Sequence, residues 1–509
     1  MGSLTLASRV LGFVRDMAIA WFFGAGFNTD AFFAAFRIPE LLRRLFAEGT
    51  LSMSFVSVFT GLMVRKGREE AFQMAGAALK TVSVFLVLAA IAGILLSPVL
   101  VRIVAPGFSD DPEKLSLTIL LTRMMFPYIL FIGLVAVCMG ILNALGHFAS
   151  PALAPVLLNL AMIGSLWWIS PLLNRPILGL AIGVVIGGVL QLALQVPFLI
   201  KKDVPLFKQA KFYHPGVKQV ATLMPTMVLG AAVYQINVLA GTFLASFLPE
   251  GSVSYLYYAD RVVQFPLGIF AAAASTVVLP SLTRQAMEND ISAVRSTFEH
   301  ALRMVLFITV PAMAGLVALR EPIVALLFER GAFDARALSM TAYALLHYSL
   351  GIWAFSAIRV VVSVYYALED TVTPVRIAVL SVAANIVLGA VLMRYMGHGG
   401  IALAASLSSM VNFFLLSKKL KNLLGGFNWQ PIGRSLAKTT GGAVIMGLAV
   451  HYAAETWIPA KTASTLQSAL GVAGGIVFGI LTYVLYAVIT RHPELKMIFN
   501  RSAGGKAES

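Results

Sequence analysis

The sequence is poor in charge and almost without cysteine. Only 12% of its 509 residues are charged, and Cys138 is the single cysteine. A soluble domain carries about twice that share of charged residues, and a lone cysteine forms no internal disulfide. These shortages exclude a soluble enzyme and a small secreted domain held together by disulfides.

The chain is instead rich in apolar residues, which make up 59% of it. A helix that spans a bilayer needs roughly 20 apolar residues. Apolar stretches separated by polar, proline and glycine breaks predict fourteen helices. We place them at 4–25, 29–61, 76–104, 116–146, 151–171, 177–200, 216–248, 253–283, 294–319, 337–368, 373–394, 399–420, 434–456 and 464–490. The predicted fold class is an all-α polytopic membrane protein.

Basic residues are distributed unevenly between the predicted loops. With the N-terminus cytoplasmic, the inner segments hold 19 Lys and Arg and the outer segments hold 8, among which we count Lys114. The outer loop 105–114 also carries Asp110, Asp111 and Glu113. The positive-inside rule therefore predicts that both termini are cytoplasmic. The net charge of +15 is then a matter of orientation, and no nucleic-acid partner is expected.

A weak internal repeat appears when the chain is shifted on itself by 223–224 residues. The segment from Ala31 lies over the segment from Tyr255, which places Arg37 on Arg261. The shift contains six predicted helices, so the halves share one orientation, as in some alternating-access transporters. The predicted parts are an N-terminal lobe at 1–200, a C-terminal lobe at 213–424, two added helices at 430–492 and a cytoplasmic tail at 493–509.

Nine charged residues lie within the first 60 positions, inside or beside apolar helices. They are Arg9, Arg15, Asp16, Asp30, Arg37, Glu40, Arg43, Arg44 and Glu48. A charge inside a membrane normally faces a wet cavity or a partner. The excess of arginine over acid favours an anionic ligand, and the planar guanidinium suits phosphate. Buried ion pairs that hold the helices together are the alternative interpretation, and it stays open.

Helix spacing predicts how some of these charges are arranged. Arg9 and Asp16 are seven residues apart and share a face of the first helix. Glu40, Arg44 and Glu48 follow one another at intervals of four and form a ladder of alternating charge. We expect Arg43 to point about 100° away from that ladder.

Other polar residues inside the predicted helices carry less information. Gln235, Asn237 and Asn385 are candidate ligands for a cation, although such residues more often form hydrogen bonds between helices. The sequence contains no GxxxxGK[ST], HExxH or CxxC motif. We therefore expect no ATPase site of its own, no metal centre and no cofactor.

Several longer motifs resemble those of one family. They are SRVLGFVRD (8–16), GAGFNTDAFFAAFRIPELLRRLFAEG (24–49), YADRVVQFP (258–266), VVLPSLTR (277–284) and LFERGAFDA (327–335). These segments look like the MviN/MurJ lipid II flippases of the multidrug/oligosaccharidyl-lipid/polysaccharide exporter superfamily. The resemblance implies fourteen helices in two six-helix lobes, with a hydrophobic groove formed by the last two helices.

The resemblance also implies a function. It predicts a transporter, not an enzyme, that moves the peptidoglycan precursor lipid II from the inner to the outer leaflet of the bacterial cytoplasmic membrane by alternating access. The expected partners are lipid II and membrane lipids, with cell-wall synthesis proteins left open. The alternatives are a polysaccharide-lipid flippase or a drug exporter of the same superfamily. A membrane enzyme acting on polyprenyl phosphates is less well supported, because no catalytic group of Asp, Glu and His is evident.

Family roles can be carried onto matching positions of this sequence. The arginines implied to bind the pyrophosphate are Arg9, Arg15, Arg43 and Arg261. The residues implied to act in gating or substrate handling are Ser8, Asp16, Asp30 and Glu48. Where some relatives hold sodium, this sequence has Asn237 and Asn385 without a nearby acid, which argues against sodium coupling.

Overall fold

The computed structural model describes residues 2–45, 51–204, 213–426, 428–457 and 465–495. These ranges contain eighteen α-helices and two short 3-10 turns, at Pro106–Asp110 and Ser170–Leu172, and no β-strand. The prediction of an all-α chain is therefore confirmed.

The chain forms two compact units. Unit 1 comprises Met1–Ser254 and Arg330–Phe333, and unit 2 comprises Tyr255–Glu329 and Asp334–Ser509. The helices up to α9 are α1 Gly2–Phe23, α2 Phe27–Leu45, α3 Leu51–Lys66, α4 Arg68–Val104, α5 Pro112–Met125, α6 Tyr128–Ala144, α7 Ala149–Trp168, α8 Leu178–Lys201 and α9 Pro215–Ala245. The predicted limits of the lobes and the internal repeat stay predictions.

The remaining helices lie in unit 2, apart from the first three residues of α10. They are α10 Ser252–Met287, α11 Ile291–Ala318, α12 Arg320–Phe328, α13 Ala335–Ser349, α14 Ile352–Ala367, α15 Val372–Met396, α16 His398–Leu423, α17 Trp429–Trp457 and α18 Thr465–Ile489. Within unit 2, buried side chains of α11, α14 and α16 form the main core, where the Tyr365 hydroxyl donates to the Leu416 carbonyl at 2.8 Å.

Within the described ranges, nine helical segments are long and apolar enough to cross a membrane. They are Arg68–Val104, Pro112–Ala144, Ala149–Leu172, Leu178–Lys201, Ile291–Ala318, Ala335–Ala367, Val372–Met396, His398–Leu423 and Leu466–Ile489. Helix α1 does not qualify on composition, because Arg9, Arg15 and Asp16 interrupt it. The charged helix α1 therefore stands out from the apolar spans of the molecule.

Two predicted helices, 116–146 and 337–368, are each interrupted by a short turn, so they are not continuous helices, although Pro112–Ala144 and Ala335–Ala367 each count as one candidate membrane span. The span 116–146 breaks between α5 and α6 at Pro127, which lacks the N–H that a continuous helix would use. The span 337–368 breaks at Gly351, where a Cβ would lie only 2.7 Å from Oγ of Ser406. The span 29–61 holds α2 and α3, with residues 46–50 outside the described ranges.

Two contacts between helices position the charged segments of unit 1. Helix α1 packs against α7, and α2 packs against α5. Helix α7 also packs closely on α8, since a Cβ at Gly183 or Gly187 would lie 2.7 or 2.6 Å from side-chain atoms of Ser165 and Leu158. Small residues allow helices in a membrane to approach in this way. The result is that α1 packs on α7, which itself packs closely on α8.

Candidate functional site

Arg15 lies on α1 and is buried, with 7% of its surface exposed. Its Nε and Nη2 donate to Oδ1 of Asp16 at 3.0 and 2.6 Å. Its Nη1 donates to Oδ1 of Asn159, on α7, at 3.2 Å. An acid of its own helix and an amide of the neighbouring helix thus hold the guanidinium from two sides.

Asn159 also contacts the backbone of α1. Its Nδ2 donates to the carbonyl oxygen of Ser8 at 3.2 Å. Ser8 and Arg15 are two helical turns apart on one face of α1, so a single amide bridges both positions. The sequence signal for Asn159 was weak, because it is a lone amide in an apolar helix.

On α2, Glu40 contacts two arginines. Its Oε1 lies 3.3 Å from Nη2 of Arg43 and 3.1 Å from Nη2 of Arg44. The Glu40–Arg44 rung of the predicted ladder is confirmed, whereas Glu48 lies outside the described residues. The expectation that Arg43 points away was wrong, because residues three apart are also neighbours on a helix surface. The three side chains are only 13–25% exposed.

Asp30, at the other end of α2, is fully enclosed by donors. Its Oδ1 accepts from the backbone N and the hydroxyl of Ser254, at 2.9 and 2.7 Å. Its Oδ2 accepts from the backbone N of Gly251 at 2.8 Å and from Nζ of Lys114 at 2.9 Å. Asp30 therefore joins the start of α10 to α2 and α5 within unit 1.

Lys114 is not the outer-loop residue that we expected. It is 6% exposed, lies in the first turn of α5 and contacts the Phe108 ring at 4.5 Å. Asp111 caps this helix by accepting from the backbone N of Lys114 at 3.0 Å. The pair Asp111–Pro112 is a helix-start signal in the sequence, and it places Lys114 inside the helix.

Arg261 belongs to unit 2, on α10. Its Nη2 donates to the hydroxyl of Tyr257 at 2.9 Å, and its guanidinium carbon lies 4.9 Å from the centroid of that ring. Stacking on an aromatic face orients a guanidinium without neutralising its charge. Arg261 is half-buried, and its neighbour Asp260 accepts from Gln264.

The remaining predicted residues are placed as follows. Arg9 is exposed on α1. On α9, Asn237 is half-buried, and on α15, Asn385 is buried. Among the described residues, no group of three or more His, Cys, Asp or Glu side chains is arranged to hold a metal ion.

A second buried ionic cluster lies in unit 2, around Glu494. Its Oε1 accepts from Oγ of Ser435 at 2.9 Å and lies 3.5 Å from Nε of Arg303. Its Oε2 lies 2.6 Å from Nδ1 of His492, and both residues are fully buried. Burial lowers the pKa of His492, an effect larger than the opposing influence of Glu494. The cluster joins α11, α17 and the segment after α18.

Known proteins match this chain over most of its length. A family model described as lipid II flippase MurJ matches residues 19–471. The chain is 38% identical over 511 residues to a probable lipid II flippase MurJ of Vibrio cholerae, covering 97% of this chain and 96% of that protein. It is 34% identical over 459 residues to the lipid II flippase MurJ of Burkholderia cenocepacia, with 89% of each covered. The chain belongs to the MurJ family of lipid II flippases.

A solved structure of a MurJ-family protein agrees with this assignment. The lipid II flippase MurJ in an inward closed conformation matches with a TM-score of 0.80 and 27% identity, covering 96% of this chain and 98% of that one. The chain is therefore a lipid II flippase, a transporter and not an enzyme, and a multi-pass protein of the inner membrane. The family resemblance and the class of fold predicted from the sequence are confirmed, and the alternative cargoes are not favoured.

Proposed function

We propose that Arg9 and Arg15 of α1, Arg43 of α2 and Arg261 of α10 bind the pyrophosphate of lipid II. The observation that carries the proposal is the Asp30–Lys114 contact at 2.9 Å. Because Lys114 balances Asp30, the five arginines of the first two helices face three acids instead of four. Pyrophosphate carries about two negative charges or more, and charge-assisted hydrogen bonds from arginine offset the loss of its hydration.

The acids and Ser8 have supporting roles in this proposal. Asp16 orients Arg15 at 2.6 Å, and the Ser8 carbonyl fixes the amide that also holds Arg15. Asp30 acts in gating, because it holds the start of α10 just before the chain passes into unit 2 at Tyr255. Glu48 keeps its predicted role in gating or substrate handling.

The transport cycle that we propose is alternating access, from the inner to the outer leaflet, with both termini cytoplasmic. The prenyl tail stays in lipid along α17 and α18, in the predicted part 430–492, while the head group crosses. The excess of basic residues in the inner segments supports this orientation. A reporter enzyme fused to the C-terminus measures it. Cell-wall synthesis proteins stay a predicted class of partner.

The test of the binding site compares arginine variants of the purified flippase. We expect Arg15→Ala and Arg261→Ala to weaken lipid II binding about tenfold or more, since each removes a charge-assisted contact. The matched control is Arg102→Ala, which removes an exposed arginine at the end of α4. Binding is measured in lipid nanodiscs, with undecaprenyl phosphate as the competitor.

Two results would contradict the proposal. One is lipid II affinity in both variants equal to that of the wild type. The other is normal growth of a flippase-depleted bacterium rescued by Arg15→Ala or Arg261→Ala. A loss in the Arg102→Ala control as large as in the two variants would show that general positive charge, not these positions, supports binding.

A further inference from the structure

We propose that Asn159 is a positioning residue for lipid II binding, whose amide holds the Arg15 guanidinium without cancelling its charge. The inference rests on the proposed role of Arg15 and extends it to a residue of α7. Asn159 would act through Arg15, with no contact to the substrate required.

The orientation of Asn159 is set by its neighbours. It is 6% exposed, and its Nδ2 donates to the Ser8 carbonyl oxygen at 3.2 Å. Because a carbonyl oxygen only accepts, the NH2 end of the amide must face Ser8. The Oδ1 end then faces Arg15, where it accepts from Nη1 at 3.2 Å.

The contact between Asn159 and Arg15 restricts a flexible side chain. A flexible arginine loses much of its rotamer freedom when it is ordered. Asn159 fixes Nη1, and Sδ of Met162 lies 3.9 Å from the same atom. Both partners belong to α7, so the packing of α7 against α1 and α8 sets where the guanidinium lies before lipid II arrives. A preordered guanidinium loses less entropy on binding.

The charge of the residue at position 159 also affects how Arg15 can bind an anion. Asp16 already lies 2.6 Å from Nη2 of Arg15, so a pyrophosphate must compete with one carboxylate. A second carboxylate at position 159 would keep the hydrogen bond from Arg15 but lose the one to the Ser8 carbonyl, and its charge would oppose the anionic substrate. An amide accepts the same hydrogen bond with no charge. This chemistry explains why asparagine suits the position and aspartate does not.

The experiment compares Asn159→Asp, Asn159→Leu and Arg15→Ala in the purified full-length flippase, measuring lipid II affinity and the melting temperature without lipid II. We expect Asn159→Asp to weaken binding about tenfold or more, because it adds a repulsive charge. We expect Asn159→Leu to weaken it about threefold, through lost positioning alone. The matched control is Gln195→Glu, the same amide-to-acid change at a fully buried residue that bonds to Ser150.

The outcomes separate the two proposals. If Arg15→Ala loses binding while both Asn159 variants bind as the wild type does, the positioning role is overturned. If Arg15→Ala binds normally, the proposed role of Arg15 fails. A purely structural role predicts that both variants, each of which loses the hydrogen bond to the Ser8 carbonyl, lower the melting temperature while the folded protein keeps its lipid II affinity. Should Asn159→Asp not fold, wild-type affinity in a stable Asn159→Leu protein overturns the inference.

Discussion

The two ends of α2 use acids in different ways. At one end, Asp30 faces a single lysine together with backbone and hydroxyl donors, and the Asp30 and Lys114 side chains are 2% and 8% exposed. At the other end, Glu40 is shared by Arg43 and Arg44, and these side chains are 13–25% exposed. The first arrangement balances its charges out of water, whereas the second shares one carboxylate between two partly exposed arginines.

This difference separates charges that hold helices from charges that bind a ligand. Removing one member of a buried, balanced pair leaves the other charge without compensation, so stability falls. Removing Arg43 leaves Glu40 paired with Arg44 in a partly exposed setting, so no such penalty is expected. The same substitution, an ionic side chain to a neutral one, should therefore affect stability at one end of α2 and binding at the other.

The largest effect is expected at Asp30. Asp30→Ala should lower the free energy of unfolding by about 3–5 kcal/mol, because it leaves the Lys114 ammonium buried without its carboxylate. Thermal unfolding of the purified protein measures this loss. The double variant Asp30→Asn with Lys114→Met should recover part of it, since no charge is then left unbalanced.

The control for Asp30 is an exposed ion pair in the same unit. Glu113 and Arg175 lie 3.7 Å apart with side chains 71% and 52% exposed, and Glu113→Gln should change stability by less than about 1 kcal/mol. Normal stability in Asp30→Ala, with lipid II binding lost, would overturn the distinction between the two ends of α2.

How much of this contrast could be predicted from the sequence depends on the distance between partners along the chain. Glu40 and Arg44 were paired correctly because helical spacing is local. Lys114 was assigned to a loop, although the Asp111–Pro112 signal placed it in a helix. Its contact with Asp30 joins residues far apart in the chain, and no spacing rule reports such a pair.

The same limit applies to the site and to the fold. Arg15 stood out as a charge in an apolar helix, but Asn159, which holds it, resembled any amide between helices. Hydropathy located the helical regions because apolar runs are continuous. It did not find the break at Gly351, which depends on a tight contact with Ser406 from another helix.

A smaller effect is expected at Arg43. Arg43→Gln should weaken lipid II binding about tenfold, or about 1.4 kcal/mol, while the melting temperature without lipid II changes little. The physical reason is that Glu40 keeps Arg44 as a partner at 3.1 Å. Titration of lipid II against the purified variant measures the affinity, with Arg102→Gln as the exposed control. A large fall in melting temperature with unchanged affinity would show that Arg43 holds helices together and does not bind the ligand.

The smallest effect, in the cluster of Arg303, Glu494 and His492, is a dependence of stability on pH. Burial lowers the pKa of His492 below its ordinary value of 6.5. The unfolded chain therefore binds a proton at His492 as the pH falls below 6.5, while the folded chain does so only at lower pH. Stability from this residue is fully present above pH 6.5 and falls as the pH drops toward the folded pKa.

Several charged and titratable groups around the His492 ring influence its protonation. Glu494 favours its protonation, whereas Lys438 opposes it. Arg303 lies 3.5 Å from Glu494, and Tyr483 interacts electrostatically with the same carboxylate. The melting temperature between pH 7.5 and 5.5 should fall more steeply for the wild type than for His492→Gln. His451→Gln, which removes an exposed histidine of α17, should leave the slope unchanged. Because this cluster is buried and balanced like Asp30–Lys114, acidification should lower stability before it lowers lipid II affinity, and the reverse order would make it part of the binding machinery.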